Sequence, residues 1–267
     1  MKCNSRTIQA VFLISGTAIG AGTLALPMQT AGLGLWWPIG IFILTWLVSY
    51  YAGLYMLEAN MVEHEGCNLL TMVSHAYGSW GRWLVSILYL MLLYSVTAAY
   101  LGSLADMMEQ YLKFEFPNHN IPYWLTTINF ALIFAFLMGM GTSWVGRVNE
   151  FLFFMLMLAL LILAYTLGMQ IDFHRLSEGQ YNATTVLAIL PVTVTAFAYQ
   201  IVVPSVRTFL RSDIKQLKIA IFWGSVLPLV FYCLWEVVLL LTIPLEGRYG
   251  LLALKDMGMP FDILQSL

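Results

Sequence analysis

The sequence predicts an all-α integral membrane protein of about seven transmembrane helices, of which the first and the sixth are broken. Three observations support this fold class. The 267 residues are 60% hydrophobic and only 10% charged, far more apolar than a soluble domain. Apolar runs long enough for a helix to cross a bilayer recur along the chain. A cluster of three glycines before Pro27 in the first run, and the prolines on either side of Tyr199 and Gln200 in the sixth, disfavour a continuous helix there.

Seven apolar segments are predicted to span the membrane, and no soluble domain is expected beside them. Only a tight turn at Ala31 and Gly32 separates the first two, whereas a polar connection, residues 58–82, precedes the third. Pro228 predicts a kink in the seventh segment. The expected spans are residues 8–30, 33–57, 83–105, 121–140, 151–169, 184–206 and 219–243.

The distribution of Lys and Arg predicts a cytoplasmic N-terminus. In that orientation eight of the 12 Lys and Arg residues face the cytoplasm, and the loop from Arg207 to Lys218 contributes most. Cytoplasmic loops of membrane proteins carry an excess of these residues. An odd number of spans then places the C-terminus outside.

The first and sixth spans carry unusual residues for membrane helices. Three glycines and two threonines precede Pro27 in the stretch SGTAIGAGTLALP, and Tyr199 and Gln200 lie between Pro191 and Pro204. Irregular backbone at membrane depth is tolerated where protein or a watery cavity satisfies its polar groups, and two such segments indicate an inverted-repeat transporter. Because they are five spans apart, they would run in opposite directions. Tight packing through small residues is the alternative.

Two such breaks offer the groups that bind an amino acid zwitterion. A half-helix beginning near Gly22 and Thr23 presents free N–H groups and a positive dipole end to a carboxylate, and unwound carbonyls accept bonds from an ammonium group. The tyrosines concerned could instead be packing aromatics. The expected substrate-binding residues are Thr17, Ala18, Ile19, Gly20, Ala21, Gly22 and Thr23 in span one, Tyr94 and Thr97 in span three, and Phe197, Ala198, Tyr199 and Gln200 in span six.

Glu236 is the only ionisable residue apart from tyrosines within the predicted spans. A carboxyl group inside a membrane is a candidate functional group by default. We interpret it as a proton-coupling or gating group, because it can gain and lose a proton during a transport cycle. A protonated Glu bonded to a neighbouring helix is the alternative.

Other function classes find little support in the sequence. The net charge of −2 and the scattered Lys and Arg residues argue against nucleic acid as a partner. The three cysteines have unrelated spacings, so no metal site or cofactor is expected. The spans lack a His-metal pair or a Ser/His/Asp set, which argues against an enzyme. A seven-helix receptor, suggested by the span count, is disfavoured by the internal N-terminus and by the lack of Lys in span seven.

The residues described above resemble the hydroxy and aromatic amino acid permease family of the amino acid-polyamine-organocation superfamily, in particular its tyrosine-specific members. The stretch Gly16–Pro27 looks like the opening signature of that family. The likeness covers essentially the whole chain. Further similar stretches are Tyr94–Tyr100, Gly141–Ser143, Asn149–Phe153 and Pro204–Val206.

The resemblance implies a five-plus-five inverted-repeat transporter that imports an aromatic amino acid, tyrosine first, by proton symport across a bacterial inner membrane. It also implies more spans than seven. We therefore expect residues 1–267 to form one incomplete transporter domain, with residues 1–170 as the first repeat and residues 171–267 as the start of the second. A serine/threonine permease, sodium coupling and a fragment that does not transport stay open, as does the oligomeric state.

Overall fold

A computed structural model describes residues 5–19, 22–30, 32–116, 122–167 and 183–243. These residues form helices joined by short turns, and no strand occurs among them, so the predicted all-α membrane class is confirmed. The helices are α1 (Ser5–Ala18), α2 (Gly22–Thr30), α3 (Trp36–Val62), α4 (Leu69–Glu115), α5 (Tyr123–Gly139), α6 (Thr142–Leu167), α7 (Ala183–Ala196), α8 (Val203–Phe209) and α9 (Ile214–Thr242).

The helices are divided between two compact units. The first comprises residues 1–69 and 149–267, and the second residues 70–148. In the first unit α9 packs against α1, α2 and α3, while α7 packs against α2 and α3. Buried apolar residues line these contacts, among them Ile14 from α1, Phe42 from α3 and Ile221 from α9. This unit contains both interrupted segments.

The second unit contains α5 and nearly all of α4. Gly78 interrupts the long helix α4 with a φ of 71°, in the left-handed region that favours glycine. Leu88 and Met91 lie exposed on this helix. Exposed apolar side chains of this kind are expected on a helix surrounded by lipid.

Most predicted spans correspond to helices of the structure, but several boundaries were wrong. By length and composition, five helical segments of the described residues could cross a membrane, and α5 is a shorter apolar helix. The predicted polar connection 58–82 is mostly helical, since α3 continues to Val62 and α4 begins at Leu69. The polar residues of this stretch therefore lie largely on turns of α3 and α4. Segments five and seven likewise begin earlier, at Thr142 and Ile214.

Candidate functional site

The first span is interrupted where the sequence predicts. Helix α1 ends at Ala18, and α2 begins at Gly22. Gly20 and Ala21, two of the predicted site residues, lie outside the described residues, whereas Ile19 is a buried bend residue. The Tyr232 hydroxyl donates a hydrogen bond to the Ala18 carbonyl over 2.8 Å. The carbonyl at the end of α1, expected to face a ligand, is therefore bonded to α9.

A second carbonyl of the first span is also satisfied by α9. Pro27 lies inside α2 and has no N–H to donate to the Thr23 carbonyl one turn earlier. The indole N–H of Trp235 donates to that oxygen instead. A side chain of α9 thus replaces the helix bond that the proline removes.

The opposite exchange occurs at the proline of α9. Pro228 lies inside that helix and leaves the Gly224 carbonyl without its helix donor. The Ser15 hydroxyl of α1 donates to it over 3.0 Å. The interrupted span and α9 therefore supply donors for each other's proline-freed carbonyls. This exchange holds the two elements together in an environment that offers no water.

The sixth span is interrupted as predicted, but its polar side chains bond to the protein itself. Helix α7 ends at Ala196, and a 3-10 turn, Gln200–Val202, precedes α8. The Tyr199 hydroxyl and the Gln200 side-chain amide both donate to the Ser49 carbonyl of α3, each over 3.2 Å. Tyr199 is completely buried. These two predicted substrate contacts fasten the interruption to α3.

The two interruptions meet at Gly22. A Cβ placed on Gly22 would lie 2.7 Å from the Ala196 Cβ and 2.6 Å from the Tyr232 hydroxyl oxygen, so only glycine allows this approach. The Phe197 ring packs edge-on against Tyr232, with 5.4 Å between ring centroids. Phe197 itself is buried. The start of α2, the end of α7 and one tyrosine of α9 are therefore in contact.

The other predicted site residues have less distinctive surroundings. Ala198 is exposed. The Thr17 hydroxyl is exposed and donates to the Leu13 carbonyl of its own helix. In the second unit, Tyr94 is exposed, and the Thr97 hydroxyl donates to the Leu93 carbonyl of α4. The participation of all four in a binding site stays a prediction.

Glu236 is completely buried on α9. The Thr30 hydroxyl of α2 bonds to its Oε1 atom and lies 2.8 Å from the Leu26 carbonyl. Its Oε2 atom has no hydrogen-bond partner in the described part of the chain. The carboxyl group therefore lies at the contact between α9 and the second half of the interrupted first span.

Arg207, expected as a loop charge, is instead buried in α8, with 5% of its surface exposed. Its guanidinium donates to the Asn60 carbonyl, to the Glu63 carbonyl over 3.0 Å and to the Ser212 hydroxyl over 3.2 Å. The two carbonyls belong to the C-terminal end of α3, where the helix dipole favours a cation. Arg207 therefore joins the half-helix after the second interruption to α3.

Three residues of this site were missed in the sequence: Tyr232, Trp235 and Arg207. Trp235 and Glu236 follow Tyr232 by three and four residues, so each lies next to Tyr232 on the surface of the helix. That spacing is visible in the sequence, but aromatic residues are frequent throughout the chain. The carbonyl partners of Tyr232 and Trp235 lie more than 200 residues earlier in the chain, so no local pattern reveals the pairing.

Comparison with known proteins extends this picture. The model of the tryptophan/tyrosine permease family matches residues 3–263. The tyrosine-specific transport system 1 of Haemophilus influenzae is 25% identical over 87% of this chain and 57% of its own length. The tryptophan-specific transport protein of Pseudomonas aeruginosa is 28% identical over 90% of this chain and 58% of its own.

A third relative is named for a different substrate. The glutamine transporter 2 of Aliivibrio fischeri is 26% identical over 87% of this chain. This chain spans between 57% and 60% of the length of these three curated relatives. All three are named as transporters and not as enzymes.

Proposed function

Since this chain belongs to the tryptophan/tyrosine permease family, we propose that it takes part in importing an aromatic amino acid, tyrosine first, by symport with protons. The observation that supports this most is the meeting of the two interruptions at Gly22 and Ala196. Helix ends in the membrane offer N–H groups for a carboxylate and carbonyls for an ammonium group. An amino acid carries both.

The preference for an aromatic side chain rests on the relatives and on the surroundings of the breaks. Two of the three relatives described above are named for tyrosine or tryptophan. Phe197 and Tyr232 are aromatic residues at the junction of the breaks, and offset or edge-on aromatic pairs are favourable. We propose a bacterial inner membrane as the location, with the N-terminus in the cytoplasm.

Uptake by the purified chain in proteoliposomes tests this function. An inward proton gradient is expected to drive uptake of labelled tyrosine, and excess tryptophan or phenylalanine to compete. Competition by serine or glutamine alone would contradict the aromatic preference. Uptake that depends on a sodium gradient and does not depend on the proton gradient would contradict proton coupling. Equilibrium binding of tyrosine without any uptake would limit the chain to substrate recognition.

We propose Glu236 as the group that couples the proton to transport. It is buried between α9 and α2, so a change in its protonation would alter the contact between α9 and the interrupted first span. Glu236→Gln is expected to lower proton-driven uptake at least tenfold while tyrosine still exchanges across the membrane. Glu58→Gln, at an exposed carboxylate of α3, is the matched control. Undiminished proton-driven uptake by Glu236→Gln would reject this role.

A further inference from the structure

The Tyr232 hydroxyl occupies a special position in the site. It is 2.8 Å from the Ala18 carbonyl, to which it donates. The same oxygen would be 2.6 Å from a Cβ on Gly22, the first residue of α2. Only 1% of the Tyr232 surface is exposed. One hydroxyl group therefore lies beside the carbonyl that ends α1 and beside the residue that begins α2.

These are the two backbone ends that the proposed function assigns to a substrate. The α1 carbonyl would accept from the ammonium group, and the start of α2 would face the carboxylate. A tyrosine hydroxyl can donate and accept hydrogen bonds. It therefore offers the Ala18 carbonyl the same kind of bond as an ammonium group does.

The bond from Tyr232 differs from the other bonds between α9 and the first span. Trp235 and Ser15 donate to carbonyls whose helix donor is removed by a proline. The residue four positions after Ala18 is Gly22, and the backbone hydrogen bonds of the described residues include none from Gly22 to Ala18. The Ala18 carbonyl is thus freed by the interruption itself. If the Tyr232 hydroxyl moves away, the Ala18 carbonyl becomes available to another donor. The bonds that compensate for Pro27 and Pro228 stay in place.

We infer that Tyr232 is a positioning residue that holds the ammonium acceptor, the Ala18 carbonyl, until substrate arrives, and that the substrate ammonium group then replaces its hydroxyl. This inference rests on the proposed function. Substrate binding would release one bond between α9 and α1 and leave the bonds of Trp235 and Ser15 in place. Binding is thereby linked to the position of α9, the helix that carries Glu236.

Equilibrium binding to the purified chain tests the inference with two probes. Labelled tyrosine carries the ammonium group, whereas 3-(4-hydroxyphenyl)propionate lacks it. In Tyr232→Phe the competing hydroxyl is absent, so tyrosine is expected to bind about two- to tenfold more tightly, the range of one net hydrogen bond. The affinity for the propionate is expected to stay the same. Trp235→Phe is the control, because it removes another α9 bond and should change both affinities by one common factor.

The remaining outcomes distinguish a failure of this inference from a failure of the proposed function. Equal changes for both probes in Tyr232→Phe would reduce Tyr232 to a packing residue and overturn the inference alone. Weaker tyrosine binding with an unchanged affinity for the propionate would also overturn it, because the hydroxyl would then assist the ammonium group. Failure of the unaltered chain to bind tyrosine would overturn the proposed function, and the inference with it. Thermal unfolding of each variant checks that it is folded.

Discussion

At the first interruption, side chains of α9 donate to carbonyls of the interrupted span, whereas at the second, side chains of the interrupted span donate to a carbonyl of α3. Tyr232 and Trp235 reach the first span with one donor for each carbonyl. Tyr199 and Gln200 converge on a single carbonyl of α3. The first interruption therefore depends on single bonds to another helix, while the second has a duplicated attachment of its own.

This difference has a consequence for the mechanism. Loss of one hydrogen bond is expected to alter the first interruption, because each of these carbonyls has a single side-chain donor among the described residues. The second interruption keeps its attachment to α3 when one donor is lost. We therefore expect the first span to be the more easily rearranged of the two, and the second to act as the fixed side of the site.

The largest effect is expected at the end of the second interrupted span. Arg207→Met keeps an apolar stem but removes the guanidinium bonds to the Asn60 and Glu63 carbonyls. We expect the free energy of unfolding to fall by about 3 kcal/mol, since hydrogen bonds from charged groups stabilise more than neutral ones and two of them are lost. Chemical denaturation in detergent micelles measures it. The exposed Arg211→Met should stay within about 0.5 kcal/mol of the unaltered chain; a similar loss in both would contradict the fixed attachment.

An intermediate effect is expected at the first interruption. Trp235→Phe removes the donor for the Thr23 carbonyl and should cost about 1–2 kcal/mol of unfolding free energy. Pro27→Ala restores the helix N–H for that carbonyl. The cost of Trp235→Phe should therefore be smaller in the Pro27→Ala background, which a double-mutant cycle measures. Additive effects would show that the indole and the proline are not linked through this carbonyl.

The smallest effect is expected from one donor of the duplicated pair. Tyr199→Phe leaves the Gln200 amide on the Ser49 carbonyl, so the unfolding free energy should fall by only about 0.5 kcal/mol. Gln200→Ala should cost more in the Tyr199→Phe background than alone. Tyrosine affinity measured on the same variants gives a second result. Unchanged affinity and selectivity in both would remove Tyr199 and Gln200 from the substrate site.

Much of the fold was predictable, because it follows from composition and from residues that break helices locally. Apolar length predicts the spans, and the glycines before Pro27 predict the first interruption near its observed place between Ala18 and Gly22. The helix boundaries were less accurate. Polar residues at 58–82 predict a connection, yet exposed helix turns outside the apolar region are polar as well.

The side-chain partners could not be predicted. Tyr199 and Gln200 attract attention as polar residues in an apolar span, but the sequence does not reveal that both bond to Ser49. Arg207 resembles a loop charge in the sequence, and only its contact with the end of α3 explains its burial. The division into two inverted repeats stays a prediction, as do the substrate contacts.

The bond between Ser15 and Gly224 joins residues 209 positions apart, which affects the order of biosynthesis. Translation at about 5–20 residues per second takes about 10–40 seconds to cover that distance. During this interval the first span has left the ribosome, while α9 has yet to be made. Its polar groups must then be satisfied by water, by the insertion machinery or by neighbouring spans. The first interruption is therefore completed late in synthesis, whereas the Tyr199 attachment can form as soon as the sixth span follows α3 into the membrane.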